Sequence, residues 1–186
     1  RVLSEPRYAE AAQQAADFLL THLRQPDGRL WHSFKDGRAT VNGFLDDYAS
    51  LIEGLVDLYQ AVWKVRYLDA ALELARIILI EFAEPDEPGF YYTGRSHERL
   101  VTRNKDSYDG STPSGNSLAA MALVRLGRIT GRADLESHGE ETLRYLSRVM
   151  ERMPTAAAQS LIALDFVLGP TFEIALIDGP DRPATE

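Results

Sequence analysis

Cysteine is absent from the 186-residue chain. This absence excludes disulfide bonds, thiolate zinc sites and thiol redox chemistry within these residues, and it is compatible with a cytoplasmic location. An excess of basic residues is absent as well, since the formal net charge is −8 and the arginines are scattered. Such an acidic chain has no electrostatic reason to bind nucleic acid or an anionic membrane.

Long apolar runs are also missing. The run at residues 77–80 is only long enough for the core of a helix, far short of a membrane span. The N-terminus has no signal-peptide pattern, and the first residue is Arg1 instead of Met. We therefore expect no membrane partner, and we expect the chain to be a fragment or a processed product.

Motifs for metals and nucleotides are missing too. The chain contains no HExxH sequence, EF-hand loop or pair of histidines at helical spacing, so no metal site is predicted. It contains no glycine-rich nucleotide loop, P-loop or Gly-x-Ser-x-Gly elbow, so no cofactor is predicted.

What the chain does contain is helical periodicity. Hydrophobic residues make up 45% of the sequence and recur at i, i+3, i+4 and i+7, which predicts an all-α fold. The predicted helices cover residues 7–23, 46–62, 66–82, 113–130, 133–150 and 156–168. They form three consecutive αα-hairpins.

A repeat organises these hairpins. The segments 7–23 and 66–82 align in register about 60 residues apart, and each precedes an acidic turn, a glycine and an aromatic strand. This period is longer than the roughly 34–47 residues of common helical solenoids. It suits an α/α-toroid, in which loops at one end line a pocket. Short strands are predicted at residues 30–34, 89–94 and 172–178, a domain at 1–178, and a flexible tail at 179–186.

The first candidate site is the start of the second helix. Asp46 is either the N-cap or a pocket residue, and Asp47 either complements the helix dipole or acts as an acid, base or ligand acceptor. Tyr48 is either core or pocket wall. On the strand before this helix, Trp31 and His32 either face a ligand or pack within a hairpin, because aromatic faces stack on sugar rings.

The second candidate site is the long polar loop at residues 97–117. Thr112 as N-cap and Pro113 as first residue predict the next helix start, where Ser114 and Asn116 either contact a ligand or only cap and pack. The loop also holds acid/base groups that sugar chemistry could use, or that form surface ion pairs. These groups are His97, Glu98, Lys105, Asp106, Tyr108 and Asp109.

Two long motifs resemble a known family. The stretches GFLDDYASLIEGLVDLYQA and HERLVTRNKDSYDGSTPSGNSLAA are similar to the helical part of the spermatogenesis-associated, YyaL-like family of thioredoxin-domain-containing proteins, over residues 30–168. The resemblance implies an N-terminal thioredoxin-like domain followed by an (α/α)6 six-hairpin toroid, similar to N-acylglucosamine 2-epimerase and six-hairpin glycosidases. It implies that this chain supplies about half of the toroid without the thioredoxin-like domain.

The resemblance leads to three hypotheses. The first is a carbohydrate-acting domain of epimerase, isomerase or hydrolase type, incomplete as a catalyst in this piece, with Asp47 and His97 as catalytic residues. The second is a non-enzymatic binding or scaffolding module, and the third is self-association as a homodimer through exposed helix faces. The expected ligand-binding residues are Trp31, His32, Asp46, Tyr48, Lys105, Asp106, Tyr108, Asp109, Ser114 and Asn116.

Overall fold

The computed structural model describes residues 5–170 and Phe172. In this part of the chain, six α-helices confirm the all-α prediction. They are α1 (Pro6–His22), α2 (Leu45–Val62), α3 (Val65–Glu81), α4 (Gly115–Thr130), α5 (Ala133–Arg152) and α6 (Ala158–Leu168). Apart from Phe172, the predicted strand at 172–178 and the tail at 179–186 lie outside the described residues. No described helix is both long and apolar enough to cross a membrane.

One β-hairpin precedes α2. Strand β1 (Trp31–Lys35) pairs antiparallel with β2 (Arg38–Asn42), and sequence analysis predicted only the first of these strands. Asp36 and Gly37 form the two-residue turn with φ of 51° and 74°, the left-handed geometry that Asp-Gly favours. The strand predicted at 89–94 was wrong, because that segment is irregular and bonds to the ends of neighbouring elements.

Helices α2 and α4 lie at the centre of the packing. Helix α2 packs against α1, α3 and α4, while α4 also packs against α5 and α6. Gly115 at the start of α4 lies against the side chain of Leu45 at the start of α2, so these two helices begin at the same end of the molecule. Fully buried apolar side chains of α2, α3 and α4 form the main core.

Three helix starts differ from the prediction. The N-cap of α2 is Phe44 instead of Asp46, because the carboxylate of Asp47 reaches back to the Phe44 N–H. The N-cap of α4 is Ser114, whose hydroxyl accepts from the Ser117 N–H, so neither Thr112 nor Pro113 starts that helix. A short 3-10 turn, Pro154–Ala156, delays the start of α6 to Ala158.

The pair α4–α5 depends on two glycines. A Cβ added at Gly139 of α5 would lie 2.6 Å from Val124 Cγ2 and 2.8 Å from the Ala120 oxygen of α4. A Cβ added at Gly127 of α4 would lie 2.8 Å from the Glu136 nitrogen of α5. The two backbones therefore approach more closely than any larger residue at these positions allows.

Candidate functional site

A cavity of about 460 Å³ lies where α1, β1 and the start of α2 meet. Its mouth carries polar and aromatic groups that sequence analysis had selected, namely Trp31, His32, Asp46 and Asp47, together with Ser50. Its floor is apolar and built mainly from small and aliphatic residues of α1 and α2, including Ala12, Ala15, Ala16, Leu19, Leu51, Leu55 and Leu58. Polar groups grouped at the rim of an apolar cleft are typical of small-molecule sites.

The central contact at the mouth joins His32 to Asp47. His32 Nδ1 lies 2.8 Å from Asp47 Oδ2 and 3.1 Å from Asp47 Oδ1. The same Oδ2 accepts from the Phe44 N–H at 2.8 Å, which fixes the carboxylate at the start of α2. A carboxylate at Nδ1 holds the proton on that nitrogen and leaves Nε2 as the basic atom. No hydrogen bond joins Nε2 to another residue of the described part of the chain.

Asp46 is the second titratable group of the mouth. Burial, followed by the neighbouring charge of Asp47, raises the pKa of its carboxyl above the ordinary value. Its Oδ1 is enclosed and has no hydrogen-bond partner among the residues that the structure describes. The adjacent carboxylates therefore lie in different environments: Asp47 contacts two donors at the start of α2, whereas burial shifts Asp46 toward its neutral form.

Two aromatic rings lie next to His32, outside the lining of the cavity. The ring of Phe44 stacks on Tyr92 with centroids 4.8 Å apart and meets His32 edge-on at 5.1 Å. Burial, followed by the charges of Asp46 and Asp47, raises the pKa of Tyr92. Sequence analysis did not select Phe44 or Tyr92.

Tyr48 lies in the core and not in the wall of the cavity. Its side chain is 2% exposed, packs on Phe82 and accepts a hydrogen bond from the Leu30 N–H at 2.7 Å. Burial raises the pKa of the phenol to about 12. The ligand contact expected for Tyr48 is therefore replaced by a structural role, which ties the hairpin to α2.

His97, the second predicted catalytic residue, bonds to backbone groups of the loop and the hairpin and not to Asp47. Its Nδ1 accepts from the Gly94 N–H at 3.0 Å, which leaves Nε2 to donate to the Asn42 carbonyl at 3.1 Å. Both ring nitrogens are thus engaged by backbone, and Phe44 contacts the ring from the other side. His97 fastens the loop to the hairpin, and His32 takes its place beside Asp47.

The Pro-Ser-Gly-Asn segment anchors the long loop. Asn116 is fully buried, accepts from the Phe90 N–H, and donates to the carbonyls of Phe90 and Asp106. Ser114 is buried as the N-cap of α4. With every polar atom of the Asn116 side chain satisfied inside the protein, the expected ligand contacts at Ser114 and Asn116 are replaced by capping and packing.

Asp109 joins two helices. Its Oδ1 accepts from the Ser114 N–H at 2.9 Å, and its Oδ2 accepts from the Gln159 N–H at 2.8 Å. One carboxylate thereby satisfies backbone donors at the starts of α4 and α6, where the helix dipoles favour negative charge. The ligand role expected for Asp109 gives way to this structural one.

The remaining loop residues lie away from the mouth. Lys105 donates to the Pro88 carbonyl and pairs with Glu87 at 3.1 Å. The carbonyl of Asp106 accepts from the amide of Asn116, and Tyr108 is exposed. None of the three lines the cavity beside His32.

A second cavity, of about 610 Å³, lies between residues 83–90 and α5. No residue of the predicted site lines it. Two of its four lining carboxylates form ion pairs, because Glu84 pairs with Arg95 and Arg103 and Glu87 pairs with Lys105. Within residues 5–170 and Phe172, no group of three or more potential ligands is arranged to hold a metal ion.

The chain is similar to several longer proteins. Spermatogenesis-associated protein 20 of Homo sapiens is 33% identical over 173 residues, which cover 88% of this chain and 22% of the human protein. The protein of the same name in Rattus norvegicus is 31% identical over 195 residues, which cover 100% of this chain and 25% of the rat protein. A Caenorhabditis elegans protein named as uncharacterised is 29% identical over 168 residues, covering 86% and 23%.

These similarities support the assignment of the chain to the spermatogenesis-associated family. The chain spans about a quarter of the length of these curated relatives. No protein-family model matches it.

Proposed function

We propose that this chain is part of a carbohydrate-acting α/α-toroid of the spermatogenesis-associated family, of epimerase, isomerase or hydrolase type. The observation that carries the proposal is the mouth of the 460 Å³ cavity, where a His32–Asp47 pair lies beside a carboxyl with a raised pKa. Reactions on sugars need a base and an acid within reach of one ring, and they gain from an aromatic face that stacks on that ring.

The residues take distinct roles in this proposal. His32 accepts a proton from the substrate at Nε2, and the Asp47 carboxylate orients the imidazole and stabilises the imidazolium that forms. Asp46 in its protonated form donates a proton to a substrate oxygen, because its raised pKa increases the protonated fraction at a given pH. Trp31 and the Phe44–Tyr92 stack supply apolar faces for the ring.

The second candidate is a binding module without turnover. It is favoured by the loop at residues 97–117, whose His97, Asp109 and Asn116 are engaged in internal hydrogen bonds. In this alternative the mouth binds a hydroxylated ligand through Asp46 and Trp31 and transfers no proton.

Saturation-transfer NMR with a panel of mono- and disaccharides tests the proposal, because it detects binding without requiring turnover. We expect transfer to at least one sugar with the wild-type chain and its loss in His32→Gln and Asp46→Asn. The matched control is His138→Gln, which changes a histidine of α5 that lines the other cavity.

Turnover separates the two candidates. Because this piece is expected to be incomplete as a catalyst, turnover is measured with a full-length protein of the spermatogenesis-associated family, which in D2O should place deuterium on a carbon of the bound sugar or release a cleaved product. Binding without either change would support the binding module. Absence of saturation transfer to any sugar would contradict both candidates, whereas equal transfer with wild type and His32→Gln would contradict the carbohydrate-acting proposal.

A further inference from the structure

Val41 holds a backbone conformation that its side chain disfavours. Its φ is 64°, in the left-handed region, where a β-branched residue is an outlier. Asp36 and Gly37 also have positive φ, but the hairpin turn requires that geometry. Val41 lies within β2 and is 52% exposed, so burial of its side chain does not compensate the conformation.

The position of Val41 is directly opposite His32. Trp31 pairs with Asn42 and Ser33 pairs with Thr40, which places Val41 across from His32 in the register. The strained residue therefore lies on the strand that backs the proposed base. Strained backbone persists only where its surroundings enforce it, and such positions cluster at functional sites.

Hydrogen bonds of the two residues that flank Val41 enforce its positive φ. On one side, the Ser33 hydroxyl donates to the Thr40 carbonyl at 3.1 Å, which holds the hairpin. On the other side, the Asn42 side chain accepts from Gln25 and donates to the Ser96 carbonyl, while its own carbonyl accepts from His97. The chain has to change direction at Val41 to satisfy both sets of bonds.

The residues that follow this change of direction connect the hairpin to the start of α2. Directly after Asn42, the Gly43 N–H donates to the Leu30 carbonyl, and the Phe44 N–H donates to Asp47 Oδ2. The bonds on each side of Val41 thus set the hairpin, which carries His32, relative to the start of α2, which carries Asp47.

We propose that Val41 is a positioning residue, whose strained backbone holds His32 against Asp47 in the tautomer with the proton on Nδ1. The inference rests on the proposed role of His32 and deepens it. It also accounts for His97 and Asn42, whose bonds enforce the strain without touching the cavity mouth.

The test compares Val41→Gly with Val41→Ala. Glycine adopts positive φ freely, whereas alanine keeps the left-handed penalty and removes only the exposed methyl groups. We expect Val41→Gly to unfold at a temperature about 2–4 °C above Val41→Ala, in line with the usual sensitivity of a chain of this size.

The decisive readout is the tautomer of His32, measured by long-range ¹H–¹⁵N correlation. Wild type and Val41→Ala should show one fixed tautomer with the proton on Nδ1. Val41→Gly should show averaged nitrogen shifts, because glycine also adopts other φ values and no longer restricts the strand to the geometry that holds the ring against Asp47. A merely structural residue would change the unfolding temperature and leave the tautomer fixed.

Two results would overturn the inference: Val41→Gly unfolding no higher than Val41→Ala, or a tautomer that stays fixed in Val41→Gly. Neither measurement uses a carbohydrate. Failure of sugar binding therefore contradicts the proposed function without affecting this test, and a fixed tautomer in Val41→Gly contradicts the role of Val41 even where sugars bind.

Discussion

At the scale of single residues, two adjacent aspartates have different hydrogen-bond partners and different roles. Asp46 and Asp47 follow each other at the start of α2. Within the described residues, Asp46 Oδ1 is enclosed without a hydrogen-bond partner. The Asp47 carboxylate, in contrast, accepts from the Phe44 N–H and from His32 Nδ1. The difference comes from direction. Successive residues of a helix point about 100° apart, so only one of the two can reach back to the N-cap.

The raised pKa of Asp46 predicts a pH-dependent gain for Asp46→Asn. Folding disfavours the ionised form, so the wild-type chain loses stability relative to the variant as pH rises from the ordinary aspartate range through the raised value. Asp46→Asn should therefore unfold at a higher temperature at pH 7, and the difference should vanish near pH 3.

Thermal unfolding followed by circular dichroism between pH 3 and 8 measures this difference. Asp69→Asn, at an exposed position of α3, is the control and should show no comparable trend. A variant Asp46→Asn that is less stable than wild type at pH 7 would mean that the ionised carboxylate stabilises the helix start.

Sequence analysis selected residues that the fold brings together at the mouth. Trp31, His32, Asp46 and Asp47 were selected from residue type and position near a helix start, and they line one cavity. Sequence analysis did not predict the contact between His32 and Asp47, nor the backbone bonds of His97, because a histidine in a polar loop looks the same whether its nitrogens face solvent or backbone. The bond from His97 to Asn42 joins residues 55 positions apart, which no local pattern contains.

At the scale of elements, the helices follow from periodicity, and their ends follow from hydrogen bonds. The six predicted helices are present in the described residues, and all their boundaries agree within two residues. Differences at the helix starts reflect a particular donor, such as the Phe44 N–H at α2 and the Ser117 N–H at α4. Strand β2 was missed because it lacks the alternating apolar pattern, and its Asp-Gly turn was the available signal.

The close approach of α4 and α5 predicts opposite effects for two glycine substitutions. Gly139→Ala should destabilise the chain by about 2 kcal/mol, because its Cβ would overlap Val124 and the Ala120 carbonyl. Gly54→Ala, on α2 with nothing within 4 Å of the added Cβ, should stabilise it by about 0.5–1 kcal/mol through helix propensity.

Chemical denaturation of the two variants and wild type checks this pair. Both changes replace a helical glycine by alanine, so helix propensity alone would raise the denaturant concentration at the unfolding midpoint of both variants. A stable Gly139→Ala variant would show that α4 and α5 can separate without cost.

At the scale of the whole molecule, α6 is apolar on more than the side it buries. Ser160 and Ala163 are its buried residues, whereas Ile162 and Leu168 are 55% and 76% exposed. A helix that is apolar on all sides is normally covered. The relatives are about four times longer than this chain.

We therefore expect the chain to self-associate through the outer face of α6. Ile162→Glu should shift the population toward monomer by placing a charge on that face. Ile80→Glu is the matched control, since Ile80 is 51% exposed on α3, away from α6.

Light scattering over a range of concentrations measures the mass. A wild-type chain that stays monomeric at every concentration would contradict self-association through α6. Dissociation by both substitutions alike would locate the contact elsewhere.

The carboxylate of Asp109 also bears on the order in which the chain folds. It connects the starts of α4 and α6, whose contact closes a loop of 50 residues, while the α4–α5 hairpin needs only a short one. Contacts between distant parts of a chain form at greater entropic cost and generally later than local ones. Loss of this carboxylate should then leave the refolding rate nearly unchanged and accelerate unfolding, as expected for a bond made after the rate-limiting barrier.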